Sequence, residues 1–134
     1  MTKTGSCFCG QVTYKIEGRL RDVESCHCSR CRKMISSQAS TIALFEPEEF
    51  LWVTGDELLT TYNAGQNFDI QFCSKCGSTL GGIYEGKFSW LTLGCIDGDP
   101  EVEITRHIFV GSKATWETIP KGALQYDESP PSDS

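Results

Sequence analysis

Apolar and polar residues alternate along much of this chain instead of recurring every three or four positions. Across residues 11–18 the apolar Val12, Tyr14 and Ile16 are separated by polar neighbours, the period of a strand with one buried face. The same pattern predicts strands at 40–45, 50–53, 58–62, 68–72, 79–84, 88–94 and 107–110. Glu46-Pro47, Gly55-Asp56, Ala64-Gly65, Glu85-Gly86 and residues 97–100 supply turns between them. Helical signals are short: one turn capped by Ser112 and running to Trp116, and one after Cys28. Residues 126–134, with Pro130-Pro131, read as a frayed end. With no repeat and no linker in view, the pattern predicts a mainly β fold, a single domain over residues 1–126, and a disordered tail over 127–134.

Composition sharpens this picture. A chain of 134 residues that is 39% apolar and 22% charged has room for one modest core. Many short strands around such a core leave little stability margin, which metal crosslinks would offset. The net charge is −6, and Arg30, Arg32 and Lys33 form the one cationic cluster. A nucleic-acid partner, which needs a phosphate-neutralising face, is not expected. No apolar run approaches the ~20 residues that span a bilayer, so no membrane association is expected. The opening MTKTGSCFCG lacks the apolar segment and cleavage site of a secretory leader, which predicts a cytoplasmic, reducing location. The sequence carries no signal for oligomeric state.

In that compartment the eight cysteines point to metal before disulfides. Seven fall in three clusters: Cys7 with Cys9, Cys26 with Cys28 and Cys31, and Cys73 with Cys76. Cys95 stands apart. A C-x-x-C followed by Gly77 is a knuckle: two sulfurs converge, and the glycine permits a turn whose N–H groups point at them. A knuckle supplies two ligands and needs two more, which the C-x-C of Cys7 and Cys9 can give. The set Cys7, Cys9, Cys73 and Cys76 is therefore the expected closed zinc site. A thioredoxin-like redox pair is the other reading of C-x-x-C, but the βαβ pattern it needs is missing.

Cys26, Cys28 and Cys31 make three ligands, one short of a tetrahedral shell. The fourth position is open to water, an external ligand, Cys95, His27, His107 or Asp97. Three protein ligands with one exchangeable position is the arrangement of a catalytic zinc. Three thiolates leave the centre at a net charge of −1, weaken its Lewis acidity, and suit a soft incoming thiol. Arg30, Arg32 and Lys33 can receive a carboxylate of that thiol. Two other readings stand beside this one: a second structural zinc closed by Cys95, and an oxidation-sensing thiol cluster. The ring of His27, squeezed between two ligands, is expected to point away from the metal. His107 and Asp97 read as structural, and Trp52, Trp90 and Trp116 as core.

Taken together, GSCFCGQVTY, CHCSRCRK, FCSKCGSTLGG, GCID and HIFVGSKATW resemble, in order and spacing, the glutathione-dependent formaldehyde-activating enzyme family, also called the centromere-protein-V family. The resemblance covers most of the chain, from GSCFCG to just before the tail. It implies a β-tent, Mss4-like, zinc-stabilised fold with two zinc ions. It also implies a structural zinc on Cys7, Cys9, Cys73 and Cys76, a catalytic zinc on Cys26, Cys28 and Cys31, and glutathione as co-substrate. The family's founding activity condenses glutathione with formaldehyde to S-hydroxymethylglutathione, formally a carbon–sulfur lyase reaction. This chain looks shorter at its N-terminus than the founding enzyme, and has Cys95 where a small polar residue is expected. The function implied is a zinc-dependent carbon–sulfur lyase acting on thiol–aldehyde adducts. The alternative is a non-catalytic binding module with two structural zinc sites.

Overall fold

Alternating burial carries through to eleven short strands and one helix among the described residues, 2–65 and 68–131 of the computed structural model. In chain order these are β1 (Thr2–Ser6), β2 (Thr13–Glu17), β3 (Arg21–Cys26), α1 (Ser29–Ile35), β4 (Ser40–Leu44) and β5 (Phe50–Thr54). They are followed by β6 (Leu59–Asn63), β7 (Asp69–Cys73), β8 (Thr79–Tyr84), β9 (Lys87–Thr92), β10 (Arg106–Ile108) and β11 (Leu124–Gln125). Each predicted strand is present, shifted by a residue or two at its ends. The stretch expected to run to 94 stops at Thr92, where the chain winds into a 3-10 turn at Leu93–Cys95. The chain forms two compact units, Met1–Arg21 with Ile42–Val102 and Asp22–Thr41 with Glu103–Ser134, and the chain passes from one to the other within β3, within β4 and after Val102.

In the first unit β1, β2 and β5 form an antiparallel sheet in that order, and β4-β9-β8-β7-β6 form a second antiparallel ladder. Tyr14 and Ile16, two of the residues whose alternation predicted β2, are fully buried. Tyr14, Phe45, Phe50, Trp52 and Phe88 build an aromatic core: Phe50 lies 5.1 Å from Tyr14, 5.2 Å from Phe45 and 4.7 Å from both Trp52 and Phe88, ring centre to ring centre. Edge-to-face and tilted pairs at these spacings add to the area they bury. Leu51 and Val53, the alternate residues of β5, face outward.

Trp90 is buried against β8 in a place that only glycine leaves open. A Cβ on Gly82 would sit 2.1 Å from the Trp90 ring, and the indole stacks on Phe68 with centroids 5.4 Å apart and planes at 15°. Gly82→Ala must therefore push the indole off Phe68. We expect a loss of about 1–3 kcal/mol, the usual range for overpacking a core, read as a lower urea midpoint at an unchanged slope.

The second unit holds β11-β10-β3 and the start of β4. β10 pairs in parallel with β3, Arg106 opposite Glu24, His107 opposite Ser25 and Ile108 opposite Cys26, and on its other side with β11. An Arg106 Nε–Glu24 Oε1 ion pair of 2.8 Å clamps β10 to β3. Its interior is unusual. The buried residues described are Val23, Ile108 and Ala114 on the apolar side, against Ser25, His27, Ser40 and His107 on the polar side. So thin an apolar core gives little burial energy. Polar contacts must carry more of the organisation here than in the first unit.

Three expectations need correction. The helical turn capped by Ser112 is instead a 3-10 turn at Val110–Ser112, followed by a separate turn in which the Glu117 N–H donates to the Ala114 carbonyl at 3.2 Å. Trp116, read as core, is 71% exposed. The carbonyls of Tyr126, Asp127 and Glu128, read as the start of a frayed end, accept hydrogen bonds from Val110, Gly111 and Phe109 at 3.0–3.2 Å. Residues 132–134 of the tail, and Met1, Gln66 and Asn67 of the expected domain, lie outside the described residues.

Candidate metal centres

Two turns of the first unit bring four sulfurs together. After β1, the Cys7 N–H donates to Val12 O (3.0 Å) and Gly10 N–H to Cys7 O (3.1 Å), with Gly10 at φ 82°. At the end of β7, Gly77 N–H donates to Cys73 O (2.8 Å), and Gly77 takes φ 81°, the left-handed conformation the knuckle reading required. Amide donors point at sulfur in both turns: Val12 N–H to Cys7 Sγ and Lys75 N–H to Cys73 Sγ, each 3.4 Å. Cys7, Cys9, Cys73 and Cys76 have all their sulfurs within 4.8 Å of one another. Cys7 and Cys9 sulfurs are 3.5 Å apart, and Cys9 and Cys73 sulfurs 3.9 Å. A tetrahedron with metal–sulfur bonds of about 2.3 Å has edges of about 3.8 Å, so the four donors fit one zinc-sized ion.

Ser78 ties the two turns together. Its Oγ accepts the Phe8 N–H at 2.8 Å and lies 3.5 Å from Cys76 Sγ. The Cys76 thiol donates to the same oxygen, and once the sulfur ionises the hydroxyl can turn its own proton to the thiolate. That hydrogen bond is the main reason the Cys76 thiol is pulled down to about 5. Thiolate is the form that binds metal.

The second cluster follows from the way β3 runs into α1. Cys26 ends the strand and Cys28 is the N-cap of the helix, its sulfur accepting the Cys31 N–H at 3.3 Å while its carbonyl accepts the first helical bond from Arg32 (3.0 Å). The cap places Cys31 on the first turn beside Cys28. All three sulfurs lie within 4.8 Å of one another, and among the described residues this group holds three donors. The Cys26 thiol is lowered to about 6, chiefly by its hydrogen bond with Cys31, while Cys31 is raised for the same reason. Crowding thus opposes ionising the three thiols together, a cost that a divalent cation would offset by holding all three as thiolates.

The candidate fourth ligands are engaged in other contacts. Cys95 is in the first unit, where its thiol donates to Thr79 O at 3.6 Å and burial raises its pKa. Asp97 accepts from Thr4 Oγ1 (3.0 Å) and donates its N–H to Thr4 O (2.8 Å), a structural brace as expected. The His27 ring does turn away: its Nε2 is 2.9 Å from His107 Nδ1, and its Nδ1 is 3.1 Å from Glu117 Oε1. The sequence reading missed Glu117, since nothing in an exposed-looking ATWETIP stretch marks it. Arg32 is spent on backbone, with Nε directed at His27 O (3.4 Å) and a terminal nitrogen at Ser112 O (3.3 Å). Arg30 and Lys33 project from α1 as exposed cations.

A cavity of about 820 Å³ opens in the second unit, walled by Ser25, His27, Thr41, His107, Glu117 and Lys121 among others. Ser25 on β3 and His27, the extended residue just past the strand's end, are buried, whereas Cys26 and Cys28 alternate with them and are half-buried. The cavity and the sulfurs therefore lie on opposite sides of that strand. Within the described residues, no helix is long and apolar enough to cross a membrane.

This chain is similar to known proteins. A Halomonas elongata protein, provisionally named as a glutathione-dependent formaldehyde-activating enzyme, is 28% identical over 129 residues, covering 89% of this chain and 82% of its own. A Rhodobacter sphaeroides protein of known crystal structure superposes with a TM-score of 0.57 at 21% identity, covering 92% of this chain and 98% of that one, which supports the fold. The model of the glutathione-dependent formaldehyde-activating enzyme family matches residues 2–112. Those residues take in both sulfur clusters and all but one strand of the fold, and the chain belongs to that family.

Proposed function

We propose that this protein is a zinc-dependent carbon–sulfur lyase that makes or cleaves thiol–aldehyde adducts. The observation that carries this reading is the three-sulfur group of Cys26, Cys28 and Cys31. A zinc ion held by these thiolates would supply a position where an external thiol binds as thiolate near neutral pH. The first cluster, with four donors, would hold a structural zinc.

The chain's own contribution is placement and charge. In the synthetic direction the thiol gives up its proton to solvent and its sulfur adds to the aldehyde carbon. A carbon–sulfur bond forms, the carbonyl π pair moves to oxygen, and that oxygen takes a proton from solvent. Lysis is the reverse. Arg30, next to Cys31 in the chain, and Lys33, two residues after it, are exposed on α1 and would receive a carboxylate of the thiol, and Arg32 holds the helix start in place through its two carbonyl contacts. The name of the Halomonas relative and the family make glutathione and formaldehyde the first pair to try. We expect the two-metal protein to accelerate interconversion of free and hydroxymethylated glutathione in exchange NMR. An exchange rate equal to the spontaneous one with glutathione and with other small thiols would refute the proposal.

A further inference from the structure

We infer that His107 and Glu117 are positioning residues for the three-sulfur centre, acting through His27 from the far side of β3. The inference rests on the reading that Cys26, Cys28 and Cys31 hold a metal ion.

His27 is the residue between two of the three donors. Because alternate side chains of an extended chain point to opposite faces, its ring enters the interior while Cys26 and Cys28 face the other way. A small rotation of the backbone at His27 would swing both sulfurs at once. The structure holds this residue from four directions. Its N–H donates to Ile108 O at 2.9 Å, and its carbonyl faces Arg32 Nε at 3.4 Å. Its ring, 1% exposed, meets His107 Nδ1 through Nε2 and Glu117 Oε1 through Nδ1.

With Glu117 ionised and both rings neutral, Nδ1 of His27 carries hydrogen towards Glu117, Nε2 accepts, and Nδ1 of His107 donates to it. The Glu117 contact has ion-pair distance without hydrogen-bond alignment, and neither of its two atoms has a hydrogen-bond partner among the described residues. Both supports are themselves anchored. His107 sits in the parallel ladder between β3 and β11, and the Glu117 backbone is fixed by its bond to Ala114 and by Lys113 Nζ at 2.7 Å. Holding a largely buried carboxylate and two buried imidazoles in a unit whose described residues bury three apolar side chains carries a desolvation cost. Holding the ligand loop rigid is the gain that the geometry points to.

Outer partners of metal ligands alter affinity by about 10–100-fold when removed, and we expect an effect of that size here. The test uses the full chain loaded with cobalt(II) and with zinc(II), titrated with a competing chelator. In His107→Leu the second metal should bind about 10–100-fold more weakly and its cobalt visible spectrum should change, while the four-sulfur site keeps its affinity. His107→Asn, whose side-chain amide can replace the Nδ1 donor, should restore most of the affinity and the spectrum. Glu117→Gln, nearly the same shape, should weaken the second metal by about threefold to tenfold and covers the case in which His107→Leu does not fold. Unchanged affinity and spectrum in the folded variants would overturn the inference by itself. A wild-type chain that takes up one metal equivalent would sink the three-sulfur reading and this inference with it.

Discussion

Cys73→Ser should remove one metal equivalent and unfold the first unit. Cys73 is fully buried at the end of β7, and its sulfur is shared with Cys7, Cys9 and Cys76. Binding of a structural zinc to such a set supplies about 10–16 kcal/mol, as much as or more than the ~5–15 kcal/mol by which a domain of this size is stable. No rearrangement of the aromatic core can offset that loss. The cluster also joins turns that are far apart in sequence, so its removal frees the β1–β2 turn from the β7–β8 turn. Hydrogen exchange should show β1, β2, β7 and β8 losing protection together, and metal analysis should fall from two equivalents to one. Retained protection with one equivalent bound would mean that the aromatic core of Tyr14, Phe50 and Phe88 suffices to fold the unit.

Cys28→Ser should have the opposite profile: a folded protein with no chemistry. Cys28 is at once a donor of the three-sulfur group and the cap of α1. Serine can still cap the helix, so the helix start survives while the thiolate is lost. Metal assistance is worth several kcal/mol of barrier, and each 1.36 kcal/mol is tenfold. The rate should therefore fall by about 10³-fold or to the spontaneous background, with metal content near one equivalent and the first unit unchanged. Cys95→Ser provides the contrast, since its sulfur is engaged with Thr79 O. It should retain two equivalents and full activity; loss of an equivalent there would favour two closed structural sites.

The parts of this molecule that were legible in the sequence are those where apolar side chains or cysteine spacing carry the signal. Val12, Tyr14 and Ile16 alternate because one face of β2 is core, and the alternation survives in the structure. The C-x-C and C-x-x-C spacings announced the knuckles because so few turn conformations bring two sulfurs to one point. Strands β1, β3 and β11 were missed for a physical reason. TKTGS has no large apolar residue, and the inward side of RDVESC offers only Val23 before Ser25. Strand β11 is two residues long and held by parallel pairing to β10. Periodicity reads apolar burial, and β3 buries polar groups instead. For the same reason the Glu117–His27–His107 contacts left no trace in the pattern. Contacts between residues 27, 107 and 117 depend on the parallel pairing of β10 with β3, which nothing local encodes. Trp116 shows the converse failure: a large aromatic residue implied core, yet it sits on an exposed turn.

The number of sulfurs this chain gives to each ion decides whether the three-sulfur centre exists. X-ray absorption on the two-metal zinc protein, without added thiol, counts them directly. Seven cysteine sulfurs shared by two ions predict an average of about three and a half per zinc, with a lighter donor completing the shell, rising to about four when glutathione is added. Four sulfurs per zinc before any thiol is supplied would contradict the three-sulfur centre, and with it the proposed chemistry.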